Sequence, residues 1–212
     1  MKTGDLIDLL ATDADRIPPG SAWRRLGVGF AAGGLVTLLA VVLWLRCQSL
    51  SVAAAQPWFW MKAAYTGLLA VSGAFLVRRL ATPGAALRTL PWWAAAIVLA
   101  MLGLGTAQLL AAEPAQRLAL WLGATWRVCS PLILLLSVPI YAGLAAAVRT
   151  LAPTAPTRTG AAIGFAAGSL AATLYGLHCP EQGAAFVATW YSLGIAAATG
   201  AGALAGRWLL RW

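Results

Sequence analysis

Apolar residues dominate this chain in six long runs, roughly 26–45, 59–77, 91–112, 128–148, 159–177 and 184–205. Each is about 20 residues, the length needed to cross a bilayer core about 30 Å thick. Lys62, near the start of the second run, is the only charged residue in any of them. A helix in a soluble core would keep a polar face, and none of the runs offers one. The pattern predicts an all-α integral membrane protein, a six-helix transmembrane bundle.

The first twenty residues are different. Over 3–14, Thr3 suits an N-cap and Asp5 the first helical turn. Leu6, Leu9 and Leu10 recur at helical spacing, with Ile7 beside them. The spacing predicts a short amphipathic helix, too short to be stable alone in water. Pro18-Pro19-Gly20 ends it. Two parts follow: a cytoplasmic tail and linker over 1–22, and a six-span membrane domain over 23–212. Asp5, Asp8, Asp13 and Asp15 supply four of the six acids. A secretory signal starts basic and then turns apolar, so the tail is not read as one.

Composition supports the membrane reading. The chain is 61% hydrophobic and 10% charged, with a mean hydropathy of +0.79. A soluble domain carries about 25% charge. The net charge of +9 reads as topology: eleven of the fifteen Lys and Arg residues fall on the side bearing both termini, four on the other. The excess places both termini in the cytoplasm. Trp58, Trp60, Trp92, Trp93, Trp121, Trp126, Trp208 and Trp212 lie near run ends, where amphipathic rings prefer the interface. No aromatic-interleaved basic patch points to nucleic acid.

Small residues predict how the bundle closes. Gly160, Gly164, Gly168, Ala172 and Gly176 recur every fourth position in the fifth run, and Gly194, Ala198, Gly202 and Gly206 in the sixth. Such stripes let helix backbones approach closely, so these runs are expected to form a tight hairpin. Gly29 and Gly33 make a shorter stripe in the first run. Pro139 is expected to disturb the fourth helix locally.

Candidate chemistry gathers at Leu177-His178-Cys179-Pro180-Glu181, which holds the single histidine and one of three cysteines. The topology puts Cys47, Cys129 and Cys179 on the outer side. Cys129 lies near Arg127, and Cys179 beside His178. A nearby positive charge favours the reactive thiolate. If the fourth and fifth helices are neighbours, the two sulfurs come within disulfide or shared-ligand range; otherwise the cysteines are small hydrophobes. Cys129, Cys179 and His178 are the candidates for binding a metal ion, none of them certain. One histidine is too few for bis-histidine haem, and Glu113 and Glu181, the outward acids, lie in different loops. No enzyme and no resident cofactor are expected. A solute or metal-ion transporter would need polar lining near the midplane, for which Thr106, Gln108 and Ser137 are the available residues. A purely structural membrane subunit is the third alternative.

The order of parts, from Met1-Lys2-Thr3-Gly4-Asp5-Leu6-Ile7-Asp8-Leu9-Leu10-Ala11 through six spans to Cys129-Ser130-Pro131 and His178-Cys179-Pro180-Glu181, resembles the NrsF family of bacterial membrane-bound anti-sigma factors. The resemblance implies an inner-membrane protein that sequesters an extracytoplasmic-function sigma factor. It implies that the tail, here Asp5, Leu6, Ile7, Asp8, Leu9 and Leu10, binds that partner. It implies that two periplasmic-side cysteines, here Cys129 and Cys179, respond to oxidising or heavy-metal stress, with at most transient metal-ion binding. Cys47 has no assigned counterpart. Beyond the sigma factor and membrane lipid, no nucleic acid and no small-molecule substrate is implied.

Overall fold

A computed structural model describes Gly4 and residues 20–82, 90–151 and 153–211. The expected tail helix over 3–14, Gly4 apart, and its partner-binding residues Asp5, Leu6, Ile7, Asp8, Leu9 and Leu10 lie outside the described residues.

The described residues are helical and contain no strand. In chain order the helices are α1 (Ser21–Leu45), α2 (Leu50–Ala54), α3 (Pro57–Ala81), α4 (Leu90–Ala111), α5 (Pro114–Leu122), α6 (Trp126–Arg149), α7 (Pro156–Tyr175) and α8 (Ala184–Leu209). The last turn of α1, Val41–Leu45, and an early turn of α8, Val187–Tyr191, are π-helical. All six expected runs are helices. The two short helices α2 and α5 were not anticipated, and α5 makes the region before α6 more than a loop.

Five segments are long and apolar enough to cross a membrane: α1, α3, α4, the α5–α6 unit, and α8. The expected fifth span, α7, is not among them. The reason is its place in the bundle. It packs on α8, α3 and α6, and Ile163, Ala166, Ala167, Ala171 and Ala172 along it are fully buried. A helix enclosed by protein needs small residues for close approach more than it needs hydropathy. By contrast α4 is peripheral: Leu99, Leu104 and Leu110 are exposed, as suits a lipid-facing surface.

Most small-residue stripe positions close the α7–α8 crossing as their spacing predicts, whereas Gly194 meets the Ile133 side chain of α6. A Cβ on Gly168 would lie 2.8 Å from the Ala198 Cβ, and one on Gly206 2.6 Å from the Pro156 carbonyl oxygen. Gly160 faces the Gly202 carbonyl, and Gly164 that of Ala198. Gly176 departs from the pattern: it sits past the end of α7 and meets only the preceding turn. On α1, Gly33 packs on the Pro139 carbonyl, where a Cβ would come within 2.6 Å. Thr37 donates to the Leu136 carbonyl at 2.9 Å, within the helical stretch where Pro139 removes an N–H.

Contacts between distant segments gather at two ends. Residues 46–48, 62, 124–125 and 177–181 meet at one. At the other, the Arg25 guanidinium donates to Thr150 Oγ1 at 3.0 Å, and that of Arg78 lies 4.8 Å from the Trp23 ring centroid. The first end is where the chemistry-bearing residues meet.

Candidate functional site

The site is built on the break after α7. His178 and Cys179 both donate backbone N–H groups to the Tyr175 carbonyl, at 2.9 and 3.1 Å. Pro180, which has no N–H, stops the helix there. The loop over 176–183 is then tied down from three sides.

The first tie comes from the end of α1. Arg46 adopts φ 62° and ψ 127°, a conformation that non-glycine residues rarely hold. Its carbonyl lies 2.9 Å from His178 Nδ1. Gln48 donates its backbone N–H to the Leu177 carbonyl at 3.1 Å and its Nε2 to the His178 carbonyl at 3.0 Å.

The second tie is Glu181. Its Oε1 accepts from the backbone N–H groups of Ala124 and Thr125, at 2.7 and 3.1 Å, and from Thr125 Oγ1 at 3.2 Å. These amides open α6, where a carboxylate meets unpaired N–H groups and the positive end of the helix dipole. The contact requires Gly123. Its φ of 60° and ψ of −176° lie in a region that is essentially glycine-only, and a Cβ there would stand 2.6 Å from Glu181 Oε2.

The third tie is Lys62, from the first turns of α3. Its Nζ donates to the carbonyls of Cys179 and Glu181, at 2.9 and 2.7 Å. Only 5% of the residue is exposed.

These ties bring the Cys179 sulfur against Cys129, in the first turn of α6. Both residues are free and fully buried, and the Cys129 thiol is the largest influence on that of Cys179. Thr125 Oγ1 is 4.0 Å from Cys179 Sγ. Tyr175 closes α7 beneath them, its ring 5.9 Å from that of Tyr191. The π-turn of α8 carries Tyr191 into the core, where its hydroxyl is buried without a hydrogen-bond partner. The Cys179 thiol is pulled below its ordinary range. The Cys129 S–H contributes most, and the Tyr191 O–H, the Glu181 backbone N–H and the Lys62 charge add to it; burial opposes them. The result is one sulfur surrounded by donors and a cation, with a second thiol beside it.

Two expectations about the surroundings are corrected. Arg127 was expected to supply charge to Cys129, but its guanidinium lies over the Trp126 ring at 5.1 Å. His178 was expected to supply it to Cys179, but its Nδ1 engages the Arg46 carbonyl. The cation is Lys62, which sequence reasoning had placed only as a residue near the start of a span. An ionisable residue inside a span is a functional candidate by default, and that signal was available. Tyr175, Tyr191 and Gly123 carried none. Among the described residues, no group of three or more His, Cys, Asp or Glu side chains is arranged to hold a metal ion. Cys47 is partly buried against the core, and no hydrogen bond joins it to the paired thiols.

Comparison with known proteins bears on the whole chain. A family model described as NrsF, negative regulator of sigma F, matches residues 10–212. The chain belongs to the NrsF family. Two NrsF relatives are similar along their full length. One, from Caulobacter vibrioides (strain NA1000 / CB15N), is named anti-sigma-F factor NrsF; it is 44% identical over 215 residues, covering 100% of both chains. Another, from Azospira oryzae (strain ATCC BAA-33 / DSM 13638 / PS), is named probable anti-sigma-F factor NrsF; it is 40% identical over 214 residues, again covering 100% of both. No solved structure matches significantly.

Proposed function

We propose that this NrsF-family chain is an anti-sigma factor of the bacterial inner membrane, a six-span bundle with both termini in the cytoplasm. The tail over 1–22, through Asp5, Leu6, Ile7, Asp8, Leu9 and Leu10, holds a sigma factor of the extracytoplasmic-function class. Reaction of Cys129 and Cys179 with oxidants or heavy-metal ions on the periplasmic side shifts the 23–212 domain, and the sigma factor is released. One observation carries the sensing part: two free cysteines, 50 positions apart in sequence, meet at one end of the bundle beside a buried lysine. Full-length similarity to chains named for sigma-F inhibition supports the regulatory part.

A short amphipathic acidic segment suits this role because it can order as a helix in a partner's groove. A stimulus moves such a switch only through its preference for one state, and a loop held by three separate ties offers two distinct states. The transporter alternative is not favoured. Thr106 bonds to the Gly103 carbonyl at 2.9 Å and Ser137 to that of Leu134 at 2.7 Å. Gln108 accepts the Ala185 N–H at 3.0 Å near the start of α8. The polar groups that would line a path are engaged in local structure.

The test is capture of the sigma factor by the purified full chain, and by the chain lacking residues 1–15. Loss of capture on truncation is expected. Undiminished capture would remove the tail's role. In cells, Cys129→Ser and Cys179→Ser should each blunt induction of a sigma-dependent reporter by oxidant or heavy metal; an unchanged response would reject the thiols as the sensor.

A further inference from the structure

We propose that the groove between α1 and α6, at the end of the bundle that carries Arg24 and Arg25, is a binding site for an anionic phospholipid. The two guanidinium groups hold its phosphate, and the groove below them holds an acyl chain. The inference rests on the reading above only in taking the outer surface of the bundle to face lipid.

The groove has a volume of about 490 Å³, within the range of small-molecule sites. Below the arginines it is lined by Val28, Gly29 and Ala32 of α1 and by Gly143, Ala146 and Ala147 of α6. Its shape follows from the sequence. Gly29 and Gly143 set backbone against backbone, the Cβ that each lacks falling on the other's carbonyl oxygen. The alanines beside that crossing are too small to fill the trough it leaves. Val28, Ala32 and Ala146 are exposed, so the trough opens away from the core. An apolar trough on the outside of a membrane-spanning bundle suits a hydrocarbon chain.

The mouth of the trough is cationic. Arg25 donates to Thr150 Oγ1 at 3.0 Å, bridging the mouth from α1 to the end of α6 with one of its five N–H donors. Arg24 lines the same mouth and is exposed. Both follow directly on the first turn of α1, whose opening amides no side chain caps. Cations there oppose the helix dipole, and a phosphate satisfies the amides and the arginines together. Arg149, in the last turn of α6, and Arg78, over the Trp23 ring at 4.8 Å, add positive charge at this end. The acids among the described residues, Glu113 and Glu181, belong to the opposite end, one before α5 and the other at the opening of α6. Arginine's planar fork matches phosphate oxygens, and basic pockets between membrane helices on the cytoplasmic side take anionic head groups. A cationic mouth continuous with an apolar trough selects a ligand with both parts, a phosphate and a chain.

The experiment titrates the full chain, purified in detergent, with dioleoyl phosphatidylglycerol or dioleoyl phosphatidylcholine, and reads bound lipid by native mass spectrometry. The parent chain should bind phosphatidylglycerol about tenfold more tightly or better. Arg24→Gln and Arg25→Gln should each weaken that binding about fivefold. Ala146→Leu, which fills the trough from an exposed position, should weaken it about fivefold or more. Arg207→Gln removes an exposed arginine of α8 that does not line the groove, and should leave binding within about twofold. Equal binding of the two lipids by the parent chain would overturn the proposal, and that result needs no variant to fold. An Arg207→Gln loss as large as those at Arg24 and Arg25 would also overturn it, since the charge of the whole end would then be responsible. Displacement of phosphatidylglycerol by excess glycerol phosphate would make this a site for free phosphate. Lipid selectivity seen only in Asp13→Asn/Asp15→Asn would make the tail the occupant. Sigma capture is read separately: selective lipid binding by a chain that captures no sigma factor would sink the anti-sigma reading and leave the lipid site intact.

Discussion

Glu181 offers the sharpest test of how the site is held. Its carboxylate joins the Cys179 loop to the opening of α6 by three hydrogen bonds, two of them to backbone amides. Glu181→Ala removes a charged helix cap, a loss of about 1–2 kcal/mol, taken at the lower half because the side chain is partly exposed. The Lys62 and Gln48 ties remain, so the loss falls on the loop and not on the whole bundle. A change of about 1–1.5 kcal/mol raises the open fraction roughly five- to twelvefold. Where closing is fast relative to labelling, the labelling rate follows the open population. Iodoacetamide should then label Cys179 and Cys129 together about tenfold faster than in the parent chain, with Cys47 unchanged as an internal reference. Glu181→Gln, retaining an acceptor oxygen without the charge, should fall between. An unchanged rate at both sulfurs would refute the latch. An equal rise at Cys47 would show general loosening instead.

Other outcomes follow from the same geometry. Gly123→Ala combines a glycine-only backbone conformation with a Cβ 2.6 Å from Glu181 Oε2; it should mimic Glu181→Ala in labelling and cost at least about 1–3 kcal/mol locally. Gly202→Leu forces a side chain into the crossing with Gly160 and Tyr141, and should lower the thermal midpoint of the detergent-solubilised chain, overpacking costing about 1–3 kcal/mol or more; an unshifted midpoint would contradict the α7–α8 packing. In a Cys47→Ser background, thiolate absorbance near 240 nm should persist below the ordinary thiol range and vanish in Cys179→Ser, because the Cys179 thiol is depressed. The sign for stability follows: a depressed group adds stability that is fully present above its unfolded pKa, about 8.5, and lost as pH falls through the lower folded value. Melting midpoints rising with acidification through that window, and doing so only when Cys179 is present, would show the sign to be wrong.

Much was determined by the chain alone. Runs of about 20 apolar residues must satisfy their backbone internally in lipid, which leaves helices as the outcome, and all six runs are helices. The Gly/Ala stripes of α7 and α8 specified their close crossing, because only small side chains allow backbone to meet backbone. The Pro180 break and the two cysteines were visible as anomalies in hydrocarbon. Periodicity is a local property, and these are its local consequences.

The tertiary structure decided the rest. That α7 is the enclosed helix, packed between α8, α3 and α6, depends on how many neighbours surround it, and that is a property of the whole bundle. The identity of the cation beside Cys179 could not follow from adjacency. Arg127 and His178 are neighbours in sequence, but one stacks on an indole and the other pairs with a carbonyl. Lys62 lies 117 positions from Cys179 and reaches it because α3 packs on α7, bringing the start of one beside the end of the other. Electrostatic influence depends on distance and burial in three dimensions, and the order of residues along the chain fixes neither.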